Sequence, residues 1–443
     1  MIGKLTLPNN SAMLSQDFTY GVATASFQIE GGIESRLPCI WDTFCSKPNT
    51  IIDKSNGNLA CDHFNLWQQD IELIAALGVD AYRLSISWPR VIQKSGELNS
   101  EGVAFYLAIL ESLKAKKIKA FVTLYHWDLP QHLEDKGGWL NRDTAYKFSE
   151  YTDKISQAFG DLVYSYATLN EPFCSAFLGY EIGIHAPGII GKEFGKKAAH
   201  HLLLAHGLAM KVLAINSPNT LNGIVLNFTP CYPATSSKAD KHASDFADDY
   251  FNQWYIKPIY HGEYPAILNQ LPLEHHPEVK EGDMEIISQP TDFLGVNFYS
   301  RAIYKSIENE RFEQVEPPEP KTDIGWEIYP QAFSELLVTL NNTYDLPPIY
   351  ITENGAAMAD KMIDGSVNDL DRVDYYQQHL NSVNNAIKQG VNVQGYFAWS
   401  LMDNFEWAEG YSKRFGLVYV DYETQKRIIK TSGNAYKELI CRR

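Results

Sequence analysis

Two glutamates, Glu171 and Glu353, each follow a run of residues that favours a buried strand. The run before Glu353, residues 349–352, consists of β-branched and aromatic residues. A carboxylate at the end of such a strand loses much of its water and therefore needs a partner or a function. If one carboxyl keeps its proton while the other is ionised, the pair can act as a general acid and a nucleophile.

The chemistry that suits such a pair is cleavage of a glycosidic bond with retention. This reaction needs two carboxyl groups roughly 5–5.5 Å apart on opposite sides of the anomeric carbon. The surroundings of the two carboxyl groups must therefore differ, so that one keeps its proton and the other is ionised. Arg83 and Tyr299 are expected neighbours that keep Glu353 charged, whereas burial is expected to raise the pKa of Glu171. The alternative is that each glutamate is only an ion-pair partner at a strand end.

His126 and Ser400 suggest two other chemistries. His126 could bind a metal, but the sequence around it has no second histidine at metal-binding spacing. We therefore predict no metal site, and His126 is interpreted as a hydrogen-bond donor to a substrate or as a core histidine. A Ser–His hydrolase is disfavoured because no G-x-S-x-G motif is present. Trp399, Trp407 and Phe415 fit either sugar contacts or simple packing.

Short strand-like runs alternate with amphipathic helical patterns along the whole chain. One such helix has apolar residues at 67, 71, 74 and 77 and ends at Gly78. The predicted strands are residues 20–26, 81–86, 119–124, 164–169, 223–228, 293–297, 349–355 and 393–398.

Eight strand–helix units in alternation predict an α/β fold, a (β/α)8 TIM barrel. We expect residues 1–443 to form a single domain with extended loops at the carboxyl-end face. An open doubly wound sheet is the alternative, but the chain has no glycine-rich phosphate loop after the first strand.

In a parallel barrel, the carboxyl ends of the strands converge on one face. Nearly every predicted strand carries polar or aromatic residues in or just after its carboxyl-terminal part, and this clustering indicates one active site. These residues are Gln28, Arg83, His126, Asn170, Glu171, Asn297, Tyr299, Glu353 and Trp399.

Composition limits the partners. The net charge is −16 and the pI is near 5.2, which argues against a nucleic-acid partner because no basic surface is available for phosphates. Nine Trp, 26 Tyr and 21 Phe supply flat rings that could stack on a sugar, although core packing explains most of them.

The cysteines and the amino terminus indicate the cellular compartment in which the protein is expected. The six cysteines have no metal or redox spacing, so we expect reduced thiols in a cytoplasmic protein. Residues 1–16 lack the apolar core of a signal peptide, and no apolar run approaches membrane-spanning length. We therefore expect a soluble protein without membrane attachment.

Several segments, in order along the chain, resemble motifs of glycoside hydrolase family 1, the β-glucosidases and their relatives. The two central ones are T-L-N-E-P at 168–172 and I-T-E-N-G at 351–355. The others are residues 21–31, 41–44, 62–63, 82–90, 125–130, 399–407 and 413–416. The resemblance covers nearly the whole chain.

The resemblance implies a role for each matched residue. Glu171 would be the acid/base and Glu353 the nucleophile, with Arg83, Asn297 and Tyr299 supporting them. The residues that would contact the sugar are Gln28, His126, Trp127, Asn170, Trp399, Glu406, Trp407 and Phe415. No cofactor and no metal would be required.

One branch of the family cleaves 6-phosphorylated sugars, and it usually carries Ser where this chain has Trp407 and Tyr where it has Phe415. Lys413 alone of that branch's phosphate-binding residues is present, so an unphosphorylated sugar is favoured. Because the Glu406 carboxylate can accept from either sugar epimer, some tolerance of galactosides or fucosides is expected.

The prediction is therefore a retaining β-glucosidase acting on small β-glucosides or cello-oligosaccharide ends, as in cellulose degradation. The alternatives are a 6-phospho-β-glucosidase, a transglycosidase and a catalytically silent sugar-binding barrel. The acidic, Pro-rich stretch 308–323 either shapes the aglycone entrance or is a solvated loop. The sequence leaves open whether the protein forms a homo-oligomer.

Overall fold

Eight parallel strands form a closed barrel. The computed structural model describes residues 3–307 and 310–443. The barrel strands are β1 Thr19–Ala23, β2 Ala81–Ser85, β3 Lys119–Tyr125, β4 Ser165–Asn170, β5 Leu221–Phe228, β6 Phe293–Phe298, β7 Ile349–Asn354 and β8 Val393–Trp399. Each pairs with its sequence neighbour, and β8 closes the sheet against β1. The predicted (β/α)8 barrel is confirmed, with strand boundaries within a few residues.

Helices surround the barrel. Those of eight or more residues are α1 His63–Leu77, α2 Ser100–Ala115, α3 Asp143–Phe159, α4 Lys192–Asn216, α5 Lys238–Asp248, α6 Trp254–His261, α7 Gln331–Thr343, α8 Leu370–Lys388 and α9 Thr431–Ile440. α1 ends at Gly78, whose φ of 73° is the left-handed conformation that glycine adopts most easily.

Shorter elements occupy the loops. The short α-helices are Ser26–Ile29, Ile40–Cys45, Trp88–Val91, Gln131–Glu134 and Asp283–Ile287, and the π-helical turns are Cys174–Leu178 and Asp249–Gln253. The 3-10 turns are Ala12–Leu14, Ile33–Ser35, Gly138–Leu140, Gly160–Leu162, Ala266–Gln270, Leu273–His275 and Trp407–Glu409. The small sheets use Cys231–Pro233, Ala302–Ile307, Glu310–Val315, Met362–Ile363, Ser366–Val367, Val418–Asp421 and Lys426–Ile429.

Aromatic side chains fill the barrel interior below its carboxyl-end face. The Phe121 ring lies 4.8 Å from that of Phe397 and 5.4 Å from that of Tyr350, which in turn contacts Phe293. All four are buried. This packed floor leaves the carboxyl ends of the strands as the place where polar side chains can meet.

Two sequence interpretations need correction between β5 and β7. The segment after β5 contains two helices, α5 and α6, where the predicted alternation has one. The stretch 308–323 is not a simple loop. Glu310–Val315 pairs antiparallel with Ala302–Ile307 because Phe312 and Tyr304 share one face, with ring centroids 5.3 Å apart. Residues 308–309 of that stretch lie outside the described residues.

The long helix α4 also corrects an expectation. It is long and apolar enough to cross a membrane, with a mean hydropathy of 1.4 over 18 residues, although the sequence analysis found no such run. However, 72% of that window is buried inside the protein. Its apolar length therefore serves packing against the barrel, since a core helix and a membrane-spanning helix share the same composition.

Candidate active site

The carboxylate of Glu353 is held by two donors, one on β2 and one directly after β6. Glu353 is the fifth of six residues in β7. Arg83 of β2 donates through Nη1 to Oε1 at 2.5 Å, and the Tyr299 hydroxyl donates to Oε2 at 2.6 Å. Burial and the charge of Glu353 raise the pKa of Tyr299 well above its usual value, so the phenol keeps its proton. Together these donors stabilise a negative charge on Glu353.

Glu171 has a different environment. It follows β4 directly and has a φ of 47°, a left-handed conformation that is uncommon for a non-glycine residue. Asn297 Nδ2 donates to Oε1 at 2.6 Å, and the Cys174 thiol donates to Oε2 at 3.0 Å. Burial, and then the charge of Glu353, raise the pKa of Glu171 to about 7. This side chain can therefore hold a proton near neutral pH.

Asn170 links the two carboxyl groups. Its Oδ1 accepts from Arg83 Nη2 at 2.7 Å and from Asn297 Nδ2 at 3.1 Å. Arg83 also contacts Glu353, and Asn297 also contacts Glu171. A continuous set of hydrogen bonds thus joins the ends of β2, β4, β6 and β7. The two glutamates predicted from sequence belong to one site.

Asn170 also fixes His126. Because Oδ1 of Asn170 accepts two hydrogen bonds, its Nδ2 is the group that faces His126 Nε2, at 3.1 Å. Burial and the nearby Arg83 hold the pKa of His126 well below its usual range, so the ring is neutral. Nε2 therefore accepts, and Nδ1 carries the hydrogen. Nδ1 is buried without a partner among the described residues, and it is available to a ligand.

Gln28 also carries an unpartnered polar atom. Its Nε2 donates to Asn404 Oδ1, to the Phe405 carbonyl and, at 3.4 Å, to Glu406. Its Oε1 is buried and has no partner in the described part of the chain. Burial and the charge of Glu353 raise the pKa of Glu406 to about 8. A polar ligand such as a sugar would satisfy these groups.

Buried aromatic rings form the walls. The Trp399 ring is stacked against His126 at 5.9 Å, and Trp407 lies 4.5 Å from Trp127 and 4.6 Å from Trp41. The Phe415 ring lies 6.1 Å from Tyr299. Trp127 also donates to the Asn170 carbonyl at 2.8 Å. Flat apolar faces beside hydroxyl-binding groups are the surface that a pyranose ring needs.

All thirteen residues predicted from the sequence lie in this one cluster. Three further residues of the cluster, Cys174, Asn404 and Thr352, were not predicted from the sequence. The Thr352 hydroxyl donates to Asn297 at 2.7 Å. Cys174 follows Glu171 by three residues, and that helical spacing was the available signal. No group of three metal-binding side chains is found in residues 3–307 and 310–443.

The whole-chain comparisons identify the family. The family model for glycosyl hydrolase family 1 matches residues 10–443. The chain belongs to this family. The family 1 hydrolase is similar to a β-glucosidase of Agrobacterium, with 44% identity over 98% of this chain and 97% of the relative. It is also 42% identical to a bifunctional β-D-glucosidase/β-D-fucosidase of Bifidobacterium breve, over 96% of this chain and 97% of the relative.

Solved structures of relatives agree with this family 1 fold. A Thermotoga maritima family 1 glycoside hydrolase, complexed with a cyclophellitol analogue, aligns with a TM-score of 0.94. It is 43% identical, and the match covers 100% of this chain and 99% of that one. A β-glucosidase of Exiguobacterium antarcticum has a TM-score of 0.93 at 42% identity, covering 96% of this chain and 98% of its own.

Proposed function

We propose that the family 1 hydrolase is a retaining β-glucosidase in which Glu353 is the nucleophile and Glu171 is the acid/base. The observation that carries this assignment is the contrast between two linked carboxyl groups. Arg83 and Tyr299 stabilise charge on Glu353, whereas burial raises the pKa of Glu171 to about 7. The predicted enzyme class is confirmed by family membership and by relatives that are β-glucosidases.

In the first step, a Glu353 oxygen attacks the anomeric carbon while Glu171 donates its proton to the glycosidic oxygen. The bond to the aglycone breaks, and a covalent glycosyl–enzyme ester forms. Esterification removes the charge of Glu353, which is the second cause of the raised pKa of Glu171. The pKa of Glu171 therefore falls when it must become a base.

In the second step, ionised Glu171 takes a proton from water, and the hydroxide equivalent attacks the anomeric carbon. Glu353 leaves as a carboxylate, and Glu171 is protonated again for the next cycle. Two inversions at one carbon give the β configuration of the released glucose. None of the protons needed comes from a cofactor.

The substrate is a small β-glucoside or the nonreducing end of a cello-oligosaccharide. Free polar atoms on Gln28 and His126, with Glu406 and the Trp399 ring, supply hydroxyl and ring contacts for one sugar. A relative is named 1,4-β-D-glucan glucohydrolase, which supports a role in cellulose degradation. The bifunctional glucosidase/fucosidase relative supports a fucosidase side activity, and galactosides are a further candidate.

A phosphorylated sugar is the less favoured alternative. Lys413 Nζ donates to the Asp323 carbonyl at 2.6 Å and to its carboxylate at 3.1 Å, so its charge is already paired. Trp407 and Phe415 are buried and carry no charge. The two negative charges of a sugar phosphate would therefore be poorly neutralised at this end of the site.

Transglycosylation uses the same intermediate, since an alcohol can replace water in the second step. Product analysis at high acceptor concentration separates the two outcomes. A silent sugar-binding barrel is disfavoured because both carboxyl groups and their donors are in place. Turnover of a chromogenic β-glucoside distinguishes an enzyme from such a binding protein.

A cytoplasmic location is also part of the proposal. All six cysteines are free thiols, as expected in a reducing compartment. The net charge of −16 argues against a nucleic-acid partner. Cell fractionation with enzyme assay tests the location, and activity found mainly in the extracellular fraction would contradict it.

The deciding experiment removes the nucleophile. Glu353→Gly is expected to lower kcat on an aryl β-glucoside by about 10⁴-fold or more. Glu423→Gly, at an exposed residue outside the site, is the matched control and should retain wild-type turnover. Near wild-type activity of Glu353→Gly would end the assignment. NMR of the first product formed should show the β anomer, and α product would refute retention.

A further inference from the structure

The segment 403–416, which contains Glu406, Trp407 and Phe415, is the proposed sugar-binding loop. Behind it lies a group of six charged side chains, the buried charge cluster. It consists of Arg372, Arg414, Lys430, Asp360, Asp369 and Asp403. Five of the six side chains are almost completely buried, and Arg414 is partly exposed. Three positive and three negative charges make the cluster formally neutral. Such an arrangement needs every member to be paired, because an unpaired buried charge is strongly unfavourable.

Lys430 is the member that joins the loops after two barrel strands. Its Nζ lies 2.5 Å from Asp360, in the segment after β7, and 2.6 Å from Asp403, in the segment after β8. The Lys430 side chain has no exposed surface. β7 carries Glu353, so one ammonium group connects the chain leaving the nucleophile strand with the chain leaving β8.

Asp403 also contacts the far end of the sugar-binding loop. Its Oδ1 accepts from the Gly416 backbone N–H at 3.0 Å, and its Oδ2 accepts from Arg414 at 2.6 Å. Asp403, at the start of the segment 403–416, therefore holds the end of that segment close to its beginning. Glu406, Trp407 and Phe415 all lie within that segment.

Arg372 of α8 closes the cluster from the other side. Its guanidinium donates to both Asp360 oxygens at 3.0 and 2.9 Å, and to the backbone carbonyls of Ala356 and Arg414. The Arg414 carbonyl directly precedes Phe415. The charges thus hold backbone on both sides of the site, and not only one another.

We propose that Lys430 is a positioning residue that sets the segment 403–416, and through it the Glu406 side chain, against the sugar. The inference rests on the proposed function. Without the Lys430 charge, Asp360 and Asp403 keep their negative charges but lose a shared partner. Asp403 then recruits other donors, the backbone at Gly416 moves with it, and Glu406 is displaced from the sugar hydroxyls. A displacement of about 1 Å is enough to cost activity on the order of 10²-fold.

The test compares two variants with a matched control. Lys430→Met removes the charge and keeps an apolar stem. Because that variant leaves a net negative buried cluster, the double variant Lys430→Met/Asp360→Asn restores neutrality and is the variant designed to fold. Lys437→Met makes the same substitution at an exposed position of α9 and should match wild type in every assay.

Kinetic constants are normalised to competent sites, counted by the burst from a slowly deglycosylated fluoroglucoside. A residue that serves only stability lowers the number of competent sites without changing their constants. Loss of a positioning residue changes the kinetic constants of the competent sites. We expect kcat/KM per competent site to fall by about tenfold or more in the double variant, and the inhibition constant for glucose to rise by about fivefold or more.

A double-mutant cycle with Glu406→Gln tests the route. If Lys430 acts through Glu406, adding the Lys430→Met/Asp360→Asn pair to Glu406→Gln produces less than about a threefold further loss. Full additivity, or a folded double variant with unchanged kcat/KM per site and unchanged glucose inhibition, overturns the inference. Failure of the wild type to hydrolyse any β-glucoside would instead overturn the proposed function, so the two failures are distinguishable.

Discussion

The proton on Glu171 is the property on which the chemistry depends. Burial is the main cause that raises its pKa to about 7, and the charge of Glu353 is the second. We expect kcat/KM to fall as pH rises through about 7, because the acid loses its proton. In Glu353→Gln the neighbouring charge is gone and ionised Glu171 is less disfavoured, so its pKa must fall. NMR titration of labelled glutamate measures this shift, and an unchanged or higher pKa would contradict the assignment.

The Cys174 thiol also affects how readily Glu171 holds its proton. Burial and the charge of Glu171 raise the pKa of Cys174 well above its usual value, so it stays a hydrogen-bond donor to Glu171. This bond favours the ionised carboxylate. Cys174→Ala should therefore move the alkaline limb of the kcat/KM profile to higher pH. The loss in kcat should stay well below the roughly 10²–10⁴-fold that a general acid contributes. Cys174→Ser keeps a donor, and an equal shift in both variants would argue against the hydrogen bond.

Among the secondary structure elements, the ends of β7 and β8 approach each other at Gly355. A Cβ on Gly355 would lie 1.7 Å from the Trp399 carbonyl oxygen, so the strand ends must separate to accept a larger residue. Gly355→Ala should lower kcat/KM by about 10–100-fold, because Glu353 and the Trp399 ring move apart. Steady-state kinetics on an aryl β-glucoside measure the loss.

Gly365→Ala is the control for that change. Gly365 has a φ of 77°, and a Cβ there would meet nothing within 4 Å. The control should cost about 1 kcal/mol of stability from the left-handed backbone conformation and leave kinetics unchanged. Equal kinetic losses in both variants would show that general destabilisation, and not the approach of the two strands, is responsible.

For the molecule as a whole, buried neutral histidines make stability depend on pH. His206 is fully buried, accepts or donates at Nδ1 with Thr168, and has a pKa lowered by burial to about 3. Below pH 6.5, the ordinary pKa of histidine, His206 binds a proton in the unfolded chain but stays neutral in the folded protein. Stability is thus present above pH 6.5 and is lost as pH falls towards 3, by up to about 1.4 kcal/mol per pH unit.

Urea unfolding at several pH values measures this contribution. His206→Gln removes the titrating group, so the free energy of unfolding should depend less steeply on pH between 6.5 and 4 than in wild type. His242→Gln, at an exposed position of α5, should keep the wild-type slope. An unchanged slope in His206→Gln would mean that this histidine is not held neutral by burial.

The amino-acid sequence by itself determined the strands, the barrel and the membership of the site. Strand and helix periods are local properties, and the end of each strand carries its polar residue beside it in the chain, as Asn170 and Glu171 follow β4. Most interactions between distant residues were decided only by the tertiary structure. Gln28 Nε2 donates to the Phe405 carbonyl, 377 positions away, and Lys430 Nζ donates to Asp360, 70 positions away. No local pattern encodes such pairs, because burial and charge proximity, which set the proton on Glu171, exist only after the strands have closed into a barrel.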